Sequence, residues 1–276
     1  MKEVIIRKKS SQGKPFSTSN ELEFLPAWWL PEAHSHALWI ARVRRVPSVN
    51  LLEETLELPN QDFLEWFWLK DTYEAPAEVP TILILHGLEG CARSNYVQDL
   101  MRQLGSLGWR AVVMQYRNCG EKPNRLAQSY HAMRWQELDW TVENLRGRFP
   151  EAPIGVVGFS IGGSILLNWL GQNEIENIAA ACAISVPYKL APCADRLNQG
   201  FSKIYQTYLM GRLKRSAVRK WDLLKDALGL SDLSQINKLN TLWEFDDLLT
   251  APLNGFKNVH DYYENCLLYT SPSPTR

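Results

Sequence analysis

Four short, mainly apolar runs constrain this chain more than any other feature. They cover residues 81–86 (Thr-Ile-Leu-Ile-Leu-His), 110–116, 153–159 and 178–186. Runs of this length without polar alternation are the pattern of strands buried on both faces of a sheet. Between them, residues 96–107, 136–149 and 161–170 have helical spacing; in the second stretch Leu138, Val142, Leu145 and Phe149 share one face. Strand and helix alternate, which predicts a mostly parallel sheet wound with crossover helices on both faces. Upstream, residues 51–58 and Phe63–Leu69 flank Pro59-Asn60-Gln61-Asp62 and predict a β-hairpin. That makes six strands. From Pro187 the rhythm stops. Residues 189–265 carry helical patterns with aromatics such as Phe201, Tyr205, Tyr208, Trp221, Trp243 and Phe245, the pattern of a helical insertion over the sheet. Those aromatics fit either an acyl pocket or plain core packing. The expected organisation is an N-terminal arm and packing segment over 1–48, a sheet core over 49–188, the insertion over 189–265, and a non-native tail over 266–276.

Composition narrows the function. Thirty Lys+Arg balance thirty Asp+Glu, which removes the basic footprint of a general nucleic-acid binder. A chain of 276 residues with 45% hydrophobic content can bury a core without disulfide or metal staples. No apolar run approaches the ~18–20 residues needed to span a bilayer, and the start Met1-Lys2-Glu3-Val4-Ile5-Ile6-Arg7 is too polar for a signal peptide. Cys91, Cys119, Cys182, Cys193 and Cys266 are scattered and read as reduced thiols of a cytoplasmic protein. No His/Cys/Asp cluster has metal-ligand spacing, so no metal site is expected.

Two motifs carry chemistry. Gly158-Phe159-Ser160-Ile161-Gly162-Gly163 falls between a predicted strand and a predicted helix, where such a sequence forms a nucleophile elbow. Gly158 and Gly162 are needed where side chains would clash across the turn, and Gly163 lets the helix lie close to the strand. The positive end of the helix lies beneath Ser160. His86-Gly87-Leu88-Glu89-Gly90 directly follows the first buried run. Acyl transfer develops an oxyanion that needs preorganised N–H donors; the candidates are the backbone amides of Leu88 and Ile161, with His86 and Gly87 supporting the loop. The two motifs, about 70 residues apart, together predict an α/β-hydrolase fold with Ser160 as nucleophile.

The chain resembles the YheT-like branch of the α/β-hydrolases, the AB hydrolase 4 family. Besides the two motifs above, the matching pieces are Pro123-Asn124-Arg125-Leu126, Ser129-Tyr130-His131, Ser185-Val186-Pro187, Gly200-Phe201-Ser202-Lys203-Ile204-Tyr205-Gln206, Glu244-Phe245-Asp246-Asp247 and Asp261-Tyr262-Tyr263. The resemblance covers about residues 50–265. It implies an esterase acting on acyl esters through a Ser–Asp–His relay, with no cofactor. Two stretches depart from the family pattern. Arg117-Asn118-Cys119-Gly120 lacks the usual Gly at its second position, and Ala132-Met133-Arg134-Trp135 stands where Ser-Gly-Glu-Thr is usual.

The relay is incomplete in the sequence. In this fold the acid follows the seventh strand and the His the eighth, and nothing after residue 189 reads as either strand. Cys266-Leu267-Leu268-Tyr269-Thr270-Ser271-Pro272-Ser273-Pro274 resembles the translation of a sequencing-library transposase adapter. Native coding is therefore expected to stop near Asn265, with the last two strands lost, and the low-complexity end over 270–276 cannot form a core. His131 reads as structural or surface. His260 falls in the insertion with Asp246 and Asp247, and His34 and His36 read as N-terminal packing or surface. Arg117 and Arg125 read as loop salt bridges, with an acidic substrate group as the minority role. The expected function is a serine carboxylesterase for short- or medium-chain acyl esters. The alternative is a hydrolase-fold protein that uses the cleft to bind a ligand without catalysis. With the sixth strand as an open edge, the chain is expected to aggregate and to lack activity.

Overall fold

The computed structural model describes residues 5–7, 27–30, 32–39, 43–172 and 178–266. One sheet of seven strands runs in the order β1-β7-β6-β4-β5-β3-β2. The strands are β1 (Ile5–Arg7), β2 (Leu51–Glu57), β3 (Phe63–Leu69), β4 (Thr81–Leu85), β5 (Arg110–Gln115), β6 (Ile154–Phe159) and β7 (Ala180–Ile184). β4 pairs parallel with β5 and β6, and β6 pairs parallel with β7. The β2–β3 hairpin joins antiparallel through β3 and β5.

Helices cover both faces, which explains the unbroken apolar runs. On one face α2 (Asn95–Ser106) sets Val97, Met101 and Leu104 against Ile82, Ile84 and Val113. On the other, α3 (Gln136–Arg148) and α4 (Ile161–Gln172) set Leu138, Val142, Ile165 and Trp169 against Leu83, Leu85 and Trp66. Successive residues of β4 thus alternate between two cores, as strand geometry requires. α1 (Ala33–Leu38) lies instead against the insertion, with His34 Nδ1 3.1 Å from the Tyr205 hydroxyl.

The edge of the sheet corrects the sequence reading. The arm over 1–20 contributes β1, the seventh strand, and the edge of β7 is occupied: Ile5, Ile6 and Arg7 pair antiparallel with Ala183, Cys182 and Ala181. An unpaired strand edge accepts any extended backbone, and three residues are too few to show a strand period. The rest of the arm and the tail from 267 lie outside the described residues.

The insertion comprises α5 (Leu190–Leu197), α6 (Lys203–Arg219), α7 (Trp221–Leu228), α8 (Ser234–Asn237), α9 (Leu242–Phe245), a π-helical turn over Asp246–Thr250, α10 (Ala251–Leu253) and α11 (Val259–Asn265). It has its own apolar cluster, including Met210, Leu213, Leu224, Ile236, Phe245 and Leu249. α11 departs from it and sends Val259, Tyr262 and Tyr263 into the sheet core. The Glu244-Phe245-Asp246-Asp247 motif has local work. Glu244 closes a capping box with Thr241 at the start of α9, and Asp247 accepts the Val259 N–H at 2.9 Å.

Candidate active site

β6 ends at Phe159 and α4 begins at Ile161, so Ser160 alone makes the turn. Its φ is +51°, a left-handed conformation that costs a non-glycine residue about 1–3 kcal/mol and persists where neighbours enforce it. The Ser160 N–H donates to Ile184 O at 2.8 Å, and Ser160 O accepts from Gly163 N at 2.9 Å and Ser164 N at 3.2 Å. The turn is pressed together. A Cβ at Gly158 would lie 2.5 Å from Gly162 O, and one at Gly162 would lie 2.6 Å from Leu85 O. Gly163 sits equally close to the Val186 side chain. α4 therefore meets both its own strand and the end of β4.

The end of β4 carries the second motif. A Cβ at Gly87 would lie 3.4 Å from Ser160 Cβ, so the 86–90 loop borders the serine. His86 is buried beside the Tyr116 ring. Its Nε2 accepts the Tyr116 N–H at 3.3 Å; the proton therefore sits on Nδ1, which donates to Gly87 O at 2.9 Å. Burial pushes the His86 imidazole down to about 4, against a lift from the Gly87 bond. A neutral ring with both nitrogens engaged shapes the loop and has no nitrogen left for the serine. The Gly87 N–H donates to the Tyr96 hydroxyl at 2.8 Å, and Gly90 N–H closes a turn onto Gly87 O at 2.8 Å. Among the described residues the Leu88 and Ile161 amides donate to no protein acceptor. Both residues line the same cavity as Ser160.

That cavity holds about 1080 Å³ between the C-terminal ends of the strands and the insertion. This is the usual ligand position in open α/β sheets. Its wall is mainly aliphatic, with Leu190, Leu213 and Leu249, and is punctuated by Glu89, Arg212 and Asp246. Of the insertion aromatics singled out above, Tyr208 and Phe245 face it. Burial pushes Asp246 up to about 6, opposed by bonds from Thr250 and from Tyr263, whose hydroxyl donates at 2.7 Å.

A sequence model of the alpha/beta hydrolase fold matches residues 80–269, spanning both motifs and the cavity. The chain belongs to the alpha/beta hydrolase family. This hydrolase is 33% identical to YheT of Escherichia coli (strain K12) over 90% of its own chain and 73% of that protein. It is 26% identical to Phospholipase ABHD3 of Mus musculus over 92% of its chain and 61% of that protein. It is 32% identical to a monoacylglycerol lipase of Saccharomyces cerevisiae over 69% of its chain and 44% of that protein. It therefore spans well under two thirds of the yeast enzyme and somewhat under two thirds of the mouse one. A solved esterase of Pyrococcus furiosus aligns with a TM-score of 0.46 at 19% identity, covering 62% of this chain and 71% of that one.

The remaining candidate residues of the hydrolase fall away from the serine. His131 is buried, packs edge-on against Phe256 and Tyr262, and accepts the Met133 N–H at Nδ1. Burial, with the Arg134 charge, pushes it down to about 3. His260 lies against Trp243. Among the described residues no imidazole bonds the Ser160 hydroxyl. Arg117 is buried between Asp62 and Glu137, at 2.5 Å from each, and Arg125 pairs with Glu57 at 2.5 Å. Neither arginine reaches the cavity. Tyr96 and Arg212 were not visible as site residues in the sequence, because an isolated Tyr or a helical Arg has no local pattern. Among the described residues no three His, Cys, Asp or Glu side chains gather as a metal site, and no helix is long and apolar enough to cross a membrane.

Proposed function

We propose that this hydrolase is a serine carboxylesterase that cleaves short- or medium-chain acyl esters, small molecules held in the cavity under the insertion. The reading is carried by one observation: Ser160, at φ +51°, lines an apolar cavity together with two backbone amides that have no acceptor among the described residues. Ser160 Oγ attacks the ester carbonyl, forming an O–C bond and an oxyanion, while its proton passes to a base. The Leu88 and Ile161 N–H groups hold the oxyanion. Collapse breaks the ester C–O bond, the alcohol leaves with the proton, and water repeats the sequence on the acyl-enzyme. The relatives named as a phospholipase and a monoacylglycerol lipase support ester cleavage.

We assign the base and its orienting acid to residues beyond those described. The support is the greater length of the relatives and the engagement of His86 and His131 in other bonds. In the same reading, 49–188 is the catalytic core and 189–265 its cap. The free thiols support a reducing, cytoplasmic setting.

The test uses the gene product extended through its natural continuation beyond residue 266. A fluorophosphonate probe should label Ser160, and Ser160→Ala should lower hydrolysis of p-nitrophenyl butyrate by at least about a thousandfold. Unchanged hydrolysis by that variant would remove Ser160 from the chemistry. One observation favours ligand binding without catalysis, namely that no described imidazole reaches Ser160. Saturable binding of fatty esters by the extended protein, without turnover or labelling, would establish that reading instead.

A further inference from the structure

We infer that Glu89 is a positioning residue: its carboxylate holds the turn that aims the Leu88 amide at Ser160, and it takes one of its bonds from the cap helix α6. The inference rests on the Ser160 reading above.

The aim of the Leu88 N–H is set by the peptide plane it shares with the Gly87 carbonyl. A trans peptide is rigid, so its N–H and C=O point in opposite directions. Gly87 O is fixed by two donors, Gly90 N at 2.8 Å and His86 Nδ1 at 2.9 Å. The Leu88 N–H is thereby turned to the opposite side. The Gly87–Gly90 bond makes residues 87–90 a β-turn, and Glu89, its third residue, has φ +53°. A turn with positive φ at that position favours Gly or Asn. Glu is an unfavourable choice there unless its side chain supplies something.

It supplies a closed set of bonds. The Glu89 N–H donates to the Tyr130 hydroxyl at 2.8 Å, and that hydroxyl donates its own proton back to Glu89 Oε1 at 3.1 Å. The other carboxylate oxygen accepts from Ser216 Oγ at 2.7 Å. Glu89 is only 5% exposed and lines the cavity. Burial pushes its carboxyl upward, against the pull of Ser216, Tyr130 and the Arg212 and Arg219 charges. Ser216 belongs to α6, and the Leu88 side chain packs against both the sheet core and the cap cluster. Seating the cap therefore completes the bonds of the oxyanion turn.

The test again uses the extended gene product, with active sites counted by fluorophosphonate so that kcat refers to folded enzyme. Glu89→Gly suits φ +53° and removes the carboxylate together with its two methylenes. It should lower kcat about 10- to 100-fold, with KM within about twofold, somewhat less than outright loss of an oxyanion donor. Affinity for a trifluoromethyl ketone, an oxyanion mimic, should fall in parallel. Glu89→Gln can accept from Tyr130 and donate to Ser216, and should restore kcat to within about threefold. Ser216→Ala should lower kcat about three- to tenfold, by the cap-side bond alone. If Glu89→Gly does not fold, Tyr130→Phe replaces it, with the same expected direction. The proposal is overturned if kcat per active site is unchanged in Glu89→Gly, or in Tyr130→Phe where that variant carries the test, or if Glu89→Gln is as impaired as Glu89→Gly. Failure of the Ser160 reading is distinct: the parent would then take no label.

Discussion

The buried core of the sheet half and the cavity wall of the cap half treat charge and space in opposite ways. In the sheet half, Arg117 is buried between Asp62 and Glu137, and Arg148 pairs with Glu54 at 2.7 Å. In the cap half, Arg196 and Arg212 line the cavity and, among the described residues, form no ion pair. Glycines differ in the same sense. A Cβ at Gly162 would run into a backbone oxygen at 2.6 Å, whereas one at Gly211 in α6 would meet only the Arg215 guanidinium at 3.7 Å. The lesson is that the sheet around Ser160 is over-determined and holds strained residues in place, while the insertion side of the cavity keeps room and arginines bonded to neutral groups, Arg212 to the Tyr208 hydroxyl and Arg196 to Gln199 O.

The largest break of that contrast is Gly162→Val. Its branched side chain has no room between α4 and the end of β4, and the loss should exceed about 4 kcal/mol. Thermal melting together with fluorophosphonate labelling of the extended protein would show it; a labelled, normally melting variant would refute the crowding. Next is Arg117→Met, which leaves the Asp62 carboxylate buried without its partner and should cost about 3–5 kcal/mol in urea unfolding. A change below 1 kcal/mol would mean that the pair is only decorative.

Acid should sharpen the comparison at a third level. His131 is held at about 3 in the fold, while an unfolded imidazole titrates near 6.5. The folded value is the lower one, so the unfolded chain binds the extra proton. The stabilising contribution is complete above pH 6.5 and is lost as pH falls toward 3. Against His131→Phe, the parent should lose about 2–3 kcal/mol more between pH 7 and pH 4.5. Parallel stability–pH curves would show that the ring is already solvated. The smallest effect belongs to the cap: Gly211→Ala should raise stability by about 0.5–1 kcal/mol, and any loss would mean that α6 is packed more tightly there than its open space indicates.

How legible each half was follows from the same contrast. The parallel strands, the hairpin and the tight turn at Ser160 could be read because burial on two faces writes unbroken apolar runs, and because that turn demands glycines around Ser160. β1 could not, since three residues in a polar arm carry no period. The helices of the cap were legible as a group, but the π-helical turn over Asp246–Thr250 was not, because one extra residue per turn leaves no composition signal. Arg117 and Arg125 read as loop salt bridges in the sequence, and the structure gives both to carboxylates. Glu89 stands in the sequence only as a member of the His86–Gly90 motif. A positive φ at a glutamate is a property of its surroundings, not of the residue.

The separate apolar cluster of the cap has a consequence in time. Met210, Leu213 and Leu224 pack with Ile236, Phe245 and Leu249 from the rest of the insertion, while Leu83, Leu85 and Val156 belong to the core of the sheet. The insertion can therefore open locally as a unit once its bonds to the sheet loops, such as Ser216 to Glu89 and Lys220 to Leu126, are broken. Amide hydrogens of the cap should then exchange with solvent through brief departures of that unit, long before those of β4 and β6, whose release needs the whole sheet to come apart.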